Sequence, residues 1–283
     1  MSLYHQFLRI GLIVKNIDKN GFISFETVGG VDKRILPSQE VIICGKEKVF
    51  GVIGAKPPHL REKKDNDFAC EIKDMLIDAG MNYNLVKEKV SVGDYIMLPC
   101  EPIKLLNNRA AGAAFDNRAG MVSLVGFLEM AKNIDLPYDI YVVFTAGEES
   151  GLLGAYSAAF NINPDISVSV DVTFGTFCGE DAVGTFEPGC GAVVFRGPDT
   201  SYEGTKRLIK IAEDLNIPYE IEAAGSSGTN AFAIQNARGS VETYLLSIPL
   251  KYMHETVELL CVDDILAVSK LILEIAKGGV SLA

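Results

Sequence analysis

Residues 140–160, IYVVFTAGEESGLLGAYSAAF, indicate an α/β fold. The run Ile140–Phe144 is apolar throughout, as is typical of a strand that is buried on both faces of a parallel sheet. Gly147 and the acidic pair Glu148–Glu149 follow as a turn, and residues 151–160 have the composition of a helix. A strand, a turn and a helix in this order predict one βα unit of an α/β sheet.

The alternation of strands and helices continues on both sides of this unit. Helices are predicted at Arg118–Ala131, Tyr202–Asn216 and Val262–Lys277, strands at Ile166–Val172, Ile217–Ile221 and Thr243–Ile248, and loops with edge strands in the Gly-rich stretch 174–197. This pattern predicts an α/β domain over residues 101–283, with a mostly parallel sheet and helical layers.

Residues 10–100 have a different pattern, with short alternating strands and Gly-rich turns. Asn20-Gly21 lies between the β-rich runs Ile10–Ile17 and Phe22–Val28 and is a strong hairpin signal. Further strands are predicted at Val41–Cys44, Val49–Ile53, Met75–Ile77 and Tyr95–Leu98, with a helix near 82–89. We expect a small all-β, barrel-like domain here, and we assign residues 1–9 to the α/β domain as a remnant.

Composition narrows the class of protein. The 283 residues carry a formal net charge of -11, and such an acidic chain gains little from a phosphate backbone, so nucleic acid is not an expected partner. The six cysteines form no CxxC pair, which indicates reduced thiols in a cytoplasmic protein. Neither a signal peptide nor an apolar run of the ~20 residues that span a membrane is found, so no membrane association is expected.

Four acidic residues and one histidine stand at predicted strand ends or helix starts of the α/β part. They are Asp116, Glu148, Glu149, Asp171 and His254. Ligands bind beyond the carboxyl ends of strands in open sheets, and clustered carboxylates repel one another unless a cation lies between them. Three acids and a histidine can hold a pair of divalent metals, with the fourth acid left to carry a proton. The pattern predicts a metal-dependent hydrolase.

Each of these residues also has an ordinary structural interpretation. Asp116 could be an N-cap, the acidic pair Glu148–Glu149 could favour the positive start of a helix, and Asp171 could form a cap or a salt bridge. A lone histidine such as His254 is more often structural than a ligand, and His59 in the β-rich part is interpreted as structural. The joint pattern favours the metal site.

Several stretches follow one another in an order that is typical of one protein family. They are Gly11–Lys15, Asp18–Phe22, Gly51–His59, Phe115–Gly120, Glu148–Ala155, Asp171–Thr173, and Ile248-Pro249 followed by Tyr252-Met253-His254. From Ile10 to its C-terminus the chain resembles the glutamyl-aminopeptidase family of metallopeptidases, which includes deblocking and tetrahedral aminopeptidases and some members labelled endoglucanase.

The resemblance implies an aminopeptidase that acts on peptide substrates with a co-catalytic metal pair, usually zinc, with cobalt or manganese as alternatives. It implies that Asp116 bridges the metals, that Glu149 and His254 hold one metal and Asp171 the other, and that Glu148 is the general base. It also implies that the barrel-like domain takes part in assembly, because homo-oligomers from dimers to dodecamers are common in such relatives.

The chain also departs from the family pattern. Relatives carry a preceding segment that ends in a His-x-Asp metal motif, which aligns with Gln6 and Leu8, and His5 is one residue out of register. Neither aligned residue can replace the motif, so we expect one good and one weakened metal position, and an α/β part with exposed apolar surface or an open sheet edge. Asn230 stands where relatives usually carry Asp.

Two functional hypotheses follow. The first is a metalloaminopeptidase, and the second is an impaired or inactive homologue that serves as an assembly subunit. A glycosidase would need a pair of carboxylates without a metal, and the histidine among the acids argues against it.

Overall fold

The computed structural model describes residues 11–57, 69–149, 151–177 and 183–279. The chain divides into two compact units. The first contains the described residues up to Glu101 together with His254–Val257, and the second contains Pro102–Met253 and the residues from Glu258 onward. The predictions for residues 1–9, including His5, Gln6 and Leu8, and for His59 lie outside the described residues.

The first unit is a closed six-stranded barrel, as the sequence predicts. Its strands are β1 (Gly11–Ile17), β2 (Ile23–Val28), β3 (Glu40–Cys44), β4 (Lys48–Ala55), β5 (Met75–Asp78) and β6 (Tyr95–Met97), and its helix is α1 (Tyr83–Lys89). The strand order is β1-β2-β5-β4-β3-β6, and the strand pairs are antiparallel. Alternate apolar side chains fill the interior, among them Leu12, Phe25, Ile43, Ile53 and Ile96.

The turn between β1 and β2 is the hairpin that Asn20-Gly21 predicts. The Asp18 carboxylate accepts hydrogen bonds from the backbone N–H groups of Asn20, at 2.8 Å, and Phe22, at 2.9 Å. Gly21 has a φ of +97°, and a Cβ at this position would lie 2.3 Å from the Met81 carbonyl oxygen. Glycine is therefore required here both for the backbone conformation and for the close packing.

The described residues of the second unit form a four-stranded mixed sheet, a small antiparallel sheet and five α-helices. Its strands are β7 (Ile103–Lys104), β8 (Arg109–Gly112), β9 (Ile166–Phe174), β10 (Ala192–Arg196), β11 (Tyr219–Ala223), β12 (Glu242–Leu250) and β13 (Glu258–Cys261), and its helices are α2 (Phe115–Ala131), α3 (Leu153–Ile162), α4 (Tyr202–Asp214), α5 (Asn230–Gln235) and α6 (Val262–Ala276). The sheets have the orders β11-β10-β12-β9 and β13-β8-β7.

The α/β class is correct, while the predicted mostly parallel sheet is found only in part. β10 with β11 and β12 with β9 are parallel pairs, but β10 with β12 and every pair of the three-stranded sheet are antiparallel. β12 is buried along nearly its whole length, and α6 buries one face against the same core. The core thus lies between the four-stranded sheet and its helices.

Two sequence predictions in this unit were wrong. Ile140–Phe144 forms no strand, and Tyr141 and Phe144 are 67% and 51% exposed. An apolar run becomes a doubly buried strand only when a neighbouring strand supplies a hydrogen-bond ladder, and in the described part of the chain β9 is an edge strand that pairs with β12 alone. The Gly-rich stretch 174–197 was predicted to form loops and edge strands, but β10 within it is an inner strand whose first four residues are buried.

The second unit exposes apolar surface, as the sequence predicts. Val122 and Val125 on α2 are 56% and 50% exposed, and Leu153 and Phe160 on α3 are 60% and 59% exposed. α3 contains no charged residue. A helix that is apolar on both sides is typical of a position between two layers, and the described residues cover only one side of these helices.

The sequence predicts buried, reduced thiols; the five described cysteines are free, and Cys261 alone among them is buried. No helix in the described ranges has both the length and the apolar character that crossing a bilayer requires.

Candidate metal centre

Asp116 lies at the start of α2 and is buried, with 3% of its surface exposed. Its backbone N–H donates to Glu258 Oε2 at 3.1 Å, and Glu258, the first residue of β13, is itself 2% exposed. The peptide bond from Asp116 to Asn117 is cis, and both residues have non-helical φ and ψ angles. The N-cap position of α2 is Ala114, two residues before Asp116.

Asn117 caps the regular part of α2. Its Oδ1 accepts a hydrogen bond from the Gly120 backbone N–H, three residues further on, at 3.0 Å, which is the geometry of an N-cap. Its Nδ2 donates to the Val170 carbonyl oxygen at 2.7 Å and to Asp171 Oδ1 at 3.0 Å. Asn117 therefore connects the start of α2 to β9.

Glu148 and Glu149 lie in a tightly hydrogen-bonded turn that leads into α3. The Glu148 carbonyl oxygen accepts from the Leu152 N–H at 2.8 Å, and the Ala146 carbonyl oxygen accepts from the Gly154 N–H at 3.0 Å. Glu148 is partly buried and Glu149 is exposed. Both precede the N-cap position of α3, whose first turn contains no acidic residue, so favouring the start of that helix does not explain them.

His254 lies in the loop that joins β12 to β13. Lys251 and Leu259 close this loop through two backbone hydrogen bonds, of 2.8 and 3.1 Å. Tyr252 and His254 have φ angles of 61° and 66°, a left-handed conformation that non-glycine residues seldom adopt and that is enriched at functional sites. The histidine side chain is exposed.

An exposed carboxylate, Glu187, contacts the base of this loop, and a partly buried one, Glu255, lies within it. Glu187 Oε1 accepts from Arg109 Nη2 at 2.6 Å, and Glu187 Oε2 accepts from Thr176 Oγ1 at 2.5 Å and from Lys251 Nζ at 3.3 Å. These partners, the Thr176 hydroxyl first, lower the pKa of Glu187. Burial raises the pKa of Glu255, which follows His254 directly.

The structure brings together three of the predicted ligands. One ligand atom each from Asp116, Glu149 and His254 lies within 4.8 Å of the other two. Two carboxylates and an imidazole are donors that zinc accepts in proteins. This is the one such group of three or more within the described ranges of the chain.

Asp171 is not a member of this group, but a hydrogen bond links it to the neighbour of Asp116. It lies in the second half of β9 and is 6% exposed. Its Oδ1 accepts from the Val172 N–H at 2.9 Å and from Asn117 Nδ2 at 3.0 Å. Glu148 is also outside the group of three and is adjacent in sequence to its member Glu149.

Sequence reasoning missed the parts played by Asn117 and Glu258. Asn117 is adjacent to a predicted ligand, and Glu258 lies four residues after His254, so proximity in sequence was the only available signal. Their hydrogen bonds join segments that are far apart in the chain, and no local pattern predicts such contacts.

Comparison with known proteins places the chain in one family. The family model for the M42 glutamyl aminopeptidases matches residues 9–271. A lysyl aminopeptidase from Pyrococcus furiosus is 32% identical over 278 residues, which cover 95% of this chain and 80% of the relative.

Solved structures give the same result. A TET aminopeptidase from the marine-sediment archaeon Thaumarchaeota archaeon SCGC AB-539-E09 superposes with a TM-score of 0.87 at 28% identity, covering 95% of this chain and 78% of the other. The TET1 peptidase of Pyrococcus horikoshii, which can assemble into a tetrahedron or a large octahedral shell, has a TM-score of 0.81 at 30% identity, with coverages of 95% and 80%. The sequence resemblance is thus confirmed, and the chain belongs to the M42 glutamyl aminopeptidase family, a family of exopeptidases.

Proposed function

We propose that this chain is a metal-dependent aminopeptidase that removes N-terminal residues from peptides. The observation that carries the proposal is the convergence of Asp116, Glu149 and His254 within 4.8 Å. The family is one of exopeptidases, and several relatives that match along most of this chain are named aminopeptidases.

The residues present fit a divalent cation. Neighbouring carboxylates repel one another unless a cation lies between them, and the ligand atoms of Asp116 and Glu149 lie with that of His254 within 4.8 Å of one another. Oxygen and imidazole ligands suit zinc, and also cobalt and manganese. We propose zinc at a first position formed by Asp116, Glu149 and His254, and a second, weaker position at Asp171 with Asp116 shared between the two.

In the proposed mechanism, Glu148 moves the proton. A bound divalent cation would polarise the scissile carbonyl and make the attacking water more acidic. Glu148, next to the ligand Glu149, accepts the proton of that water and passes it to the leaving amine. Asp116, Glu149 and His254 serve as ligands and Glu148 carries the proton, so ligation and proton transfer are divided between neighbouring side chains.

The test of this role is the substitution Glu148→Gln. General acid–base catalysis contributes roughly 10²–10⁴-fold, so we expect at least a 100-fold loss of peptide hydrolysis with unchanged zinc content, measured by mass spectrometry of the released amino acids and by metal analysis. Glu129→Gln, on the exposed side of α2, is the matched control and should retain full activity. Full activity in Glu148→Gln at the wild-type metal content would refute the role.

The second candidate function is an assembly subunit with impaired catalysis. It is favoured by one observation, namely that Asp171 lies outside the group of three ligands. Zinc content per chain separates the two candidates. Two tightly held zinc ions and rapid hydrolysis would exclude the impaired subunit, and hydrolysis that stays absent with added zinc, cobalt or manganese would support it.

We further propose that the protein is a cytoplasmic homo-oligomer in which the barrel-like domain, residues 10–100, serves assembly and the α/β domain, residues 101–283, serves catalysis. The assembly of the Pyrococcus horikoshii TET1 peptidase supports this proposal, as do Phe50 and Val52 on β4, which are 71% and 48% exposed. The substitution Phe50→Ser should reduce the mass measured by light scattering, and an unchanged mass would contradict a role for this strand.

A further inference from the structure

We propose that Asn117 is a positioning residue of the candidate metal centre, and that its amide group holds the Asp171 carboxylate beside Asp116. This inference rests on the proposed function, because it assigns Asn117 a role in the same site. It explains how Asp171 can act with the three ligands, although it lies on strand β9 and outside their group.

The Asn117 side chain uses both of its polar ends. On one side, Nδ2 donates to the Val170 carbonyl oxygen and to Asp171 Oδ1, at 2.7 and 3.0 Å. On the other side, Oδ1 accepts from the Gly120 N–H at 3.0 Å. One amide therefore ties β9 to the first regular turn of α2, directly after Asp116.

Gly120 is part of the same arrangement. A Cβ on Gly120 would lie 2.3 Å from Asn117 Oδ1 and 3.0 Å from its Cγ, so a larger residue would displace the amide. The Asp171 carboxylate is also held in place, because Asp171 Oδ1 accepts hydrogen bonds from the Val172 N–H and from Asn117 Nδ2. Two donors on one oxygen fix the rotation of the carboxylate about its own bond.

The two ends of the amide have separable roles. A capping role needs only the acceptor Oδ1, and aspartate is as good an N-cap as asparagine. Holding Asp171 needs the donor Nδ2. In Asn117→Asp the cap is kept, while an oxygen replaces the donor and faces both the Val170 carbonyl and the Asp171 carboxylate. Like charges at this distance repel, so this variant removes the positioning role and leaves the capping role intact.

The experiment measures zinc binding by chelator competition, with thermal melting and circular dichroism to verify folding. Loss of a residue that orients a ligand weakens metal binding about 10–100-fold. We expect Asn117→Asp to weaken the lower-affinity class of zinc site by about that factor and to change the tighter class by less than about threefold. Because the bonds to Val170 and Asp171 are lost, its melting temperature should fall by about 4–8 °C while the circular-dichroism spectrum keeps its folded shape. Asn161→Ala is the control, because its Nδ2 donates to a backbone carbonyl, at 2.8 Å, on the exposed helix α3.

A double-mutant cycle tests whether Asn117 acts through Asp171. If it does, Asn117→Asp in an Asp171→Ala background should cause no further loss of zinc affinity, because residues that share one contact are not additive. Additive losses, or wild-type zinc binding in Asn117→Asp, would overturn the proposal. A wild-type protein that binds zinc normally and hydrolyses no peptide would instead overturn the proposed function and leave the positioning role in place.

Discussion

Replacement of Gly120 by alanine provides the most informative stability prediction, because two physical effects have opposite signs there. Gly120 lies in α2, and alanine is favoured over glycine inside a helix by about 1 kcal/mol. Helix propensity alone therefore predicts a more stable protein. The structure predicts the reverse, because the added Cβ would lie 2.3 Å from Asn117 Oδ1, far inside van der Waals contact.

The expected loss of stability is the sum of the hydrogen bonds that the Asn117 side chain loses or weakens when it is displaced. Moving Asn117 breaks the cap on the Gly120 N–H, which is worth about 1 kcal/mol, and weakens the bonds to Val170 and to the charged Asp171, worth about 1–3 kcal/mol together. After the gain in propensity, a net loss of about 2 kcal/mol remains. For a unit of this size, that loss lowers the melting temperature by about 4–8 °C.

The assay is thermal melting followed by circular dichroism, in the presence of a chelator so that metal binding does not contribute. Gly30→Ala is the control, because a Cβ there meets nothing within 4 Å, and its melting temperature should be unchanged. A Gly120→Ala protein that melts at or above the wild-type temperature would show that the Asn117 contact contributes nothing and would refute the reasoning.

Three further predictions concern the same unit. Glu258→Ala should lower the melting temperature and weaken zinc binding, because the buried Asp116 N–H loses its acceptor at a cost of about 1–3 kcal/mol. Glu258→Gln keeps an acceptor and should behave like the wild type in both measurements. Equal effects in the two variants would contradict this prediction. Burial raises the pKa of Asp264 to about 6 from 3.8, so the folded state binds a proton more readily than the unfolded state. The stability that this proton provides is present below pH 3.8 and is lost as the pH rises through 6. The difference between the melting temperatures of the wild type and Asp264→Asn should therefore change across that window, and a constant difference would count against this prediction. Removal of metal by a chelator should abolish peptide hydrolysis and lower the melting temperature, and added zinc should restore both; hydrolysis that survives complete metal removal would disprove metal dependence.

The sequence alone predicts a large part of the barrel and the three residues that meet at the candidate metal centre. Alternation of apolar residues and the Asn20-Gly21 turn define the barrel strands locally, since turn chemistry and side-chain period act over a few residues. Asp116, Glu149 and His254 were predicted together because each stands at a junction between elements, and such junctions meet at one edge of a sheet.

The remaining features depend on contacts that no local pattern contains. The run Ile140–Phe144 has the composition of a strand, but a strand also needs a partner. In the described part of the chain this run pairs with no other strand. The inner position of β10 was missed because glycines on both sides suggested loops, although Gly191, with a φ of 99°, serves to turn the chain into the strand. The roles of Asn117 and Glu258 arise only when distant segments meet.

The proposed function depends on Asp116, Glu149 and His254 together holding one divalent cation. The most direct measurement is the zinc affinity of the purified wild type and of His254→Ala, determined by competition with a chelator of known affinity. We expect a tight zinc site in the wild type and an affinity at least about 100-fold weaker in His254→Ala, with the fold retained. Equal affinities in the two proteins would contradict it.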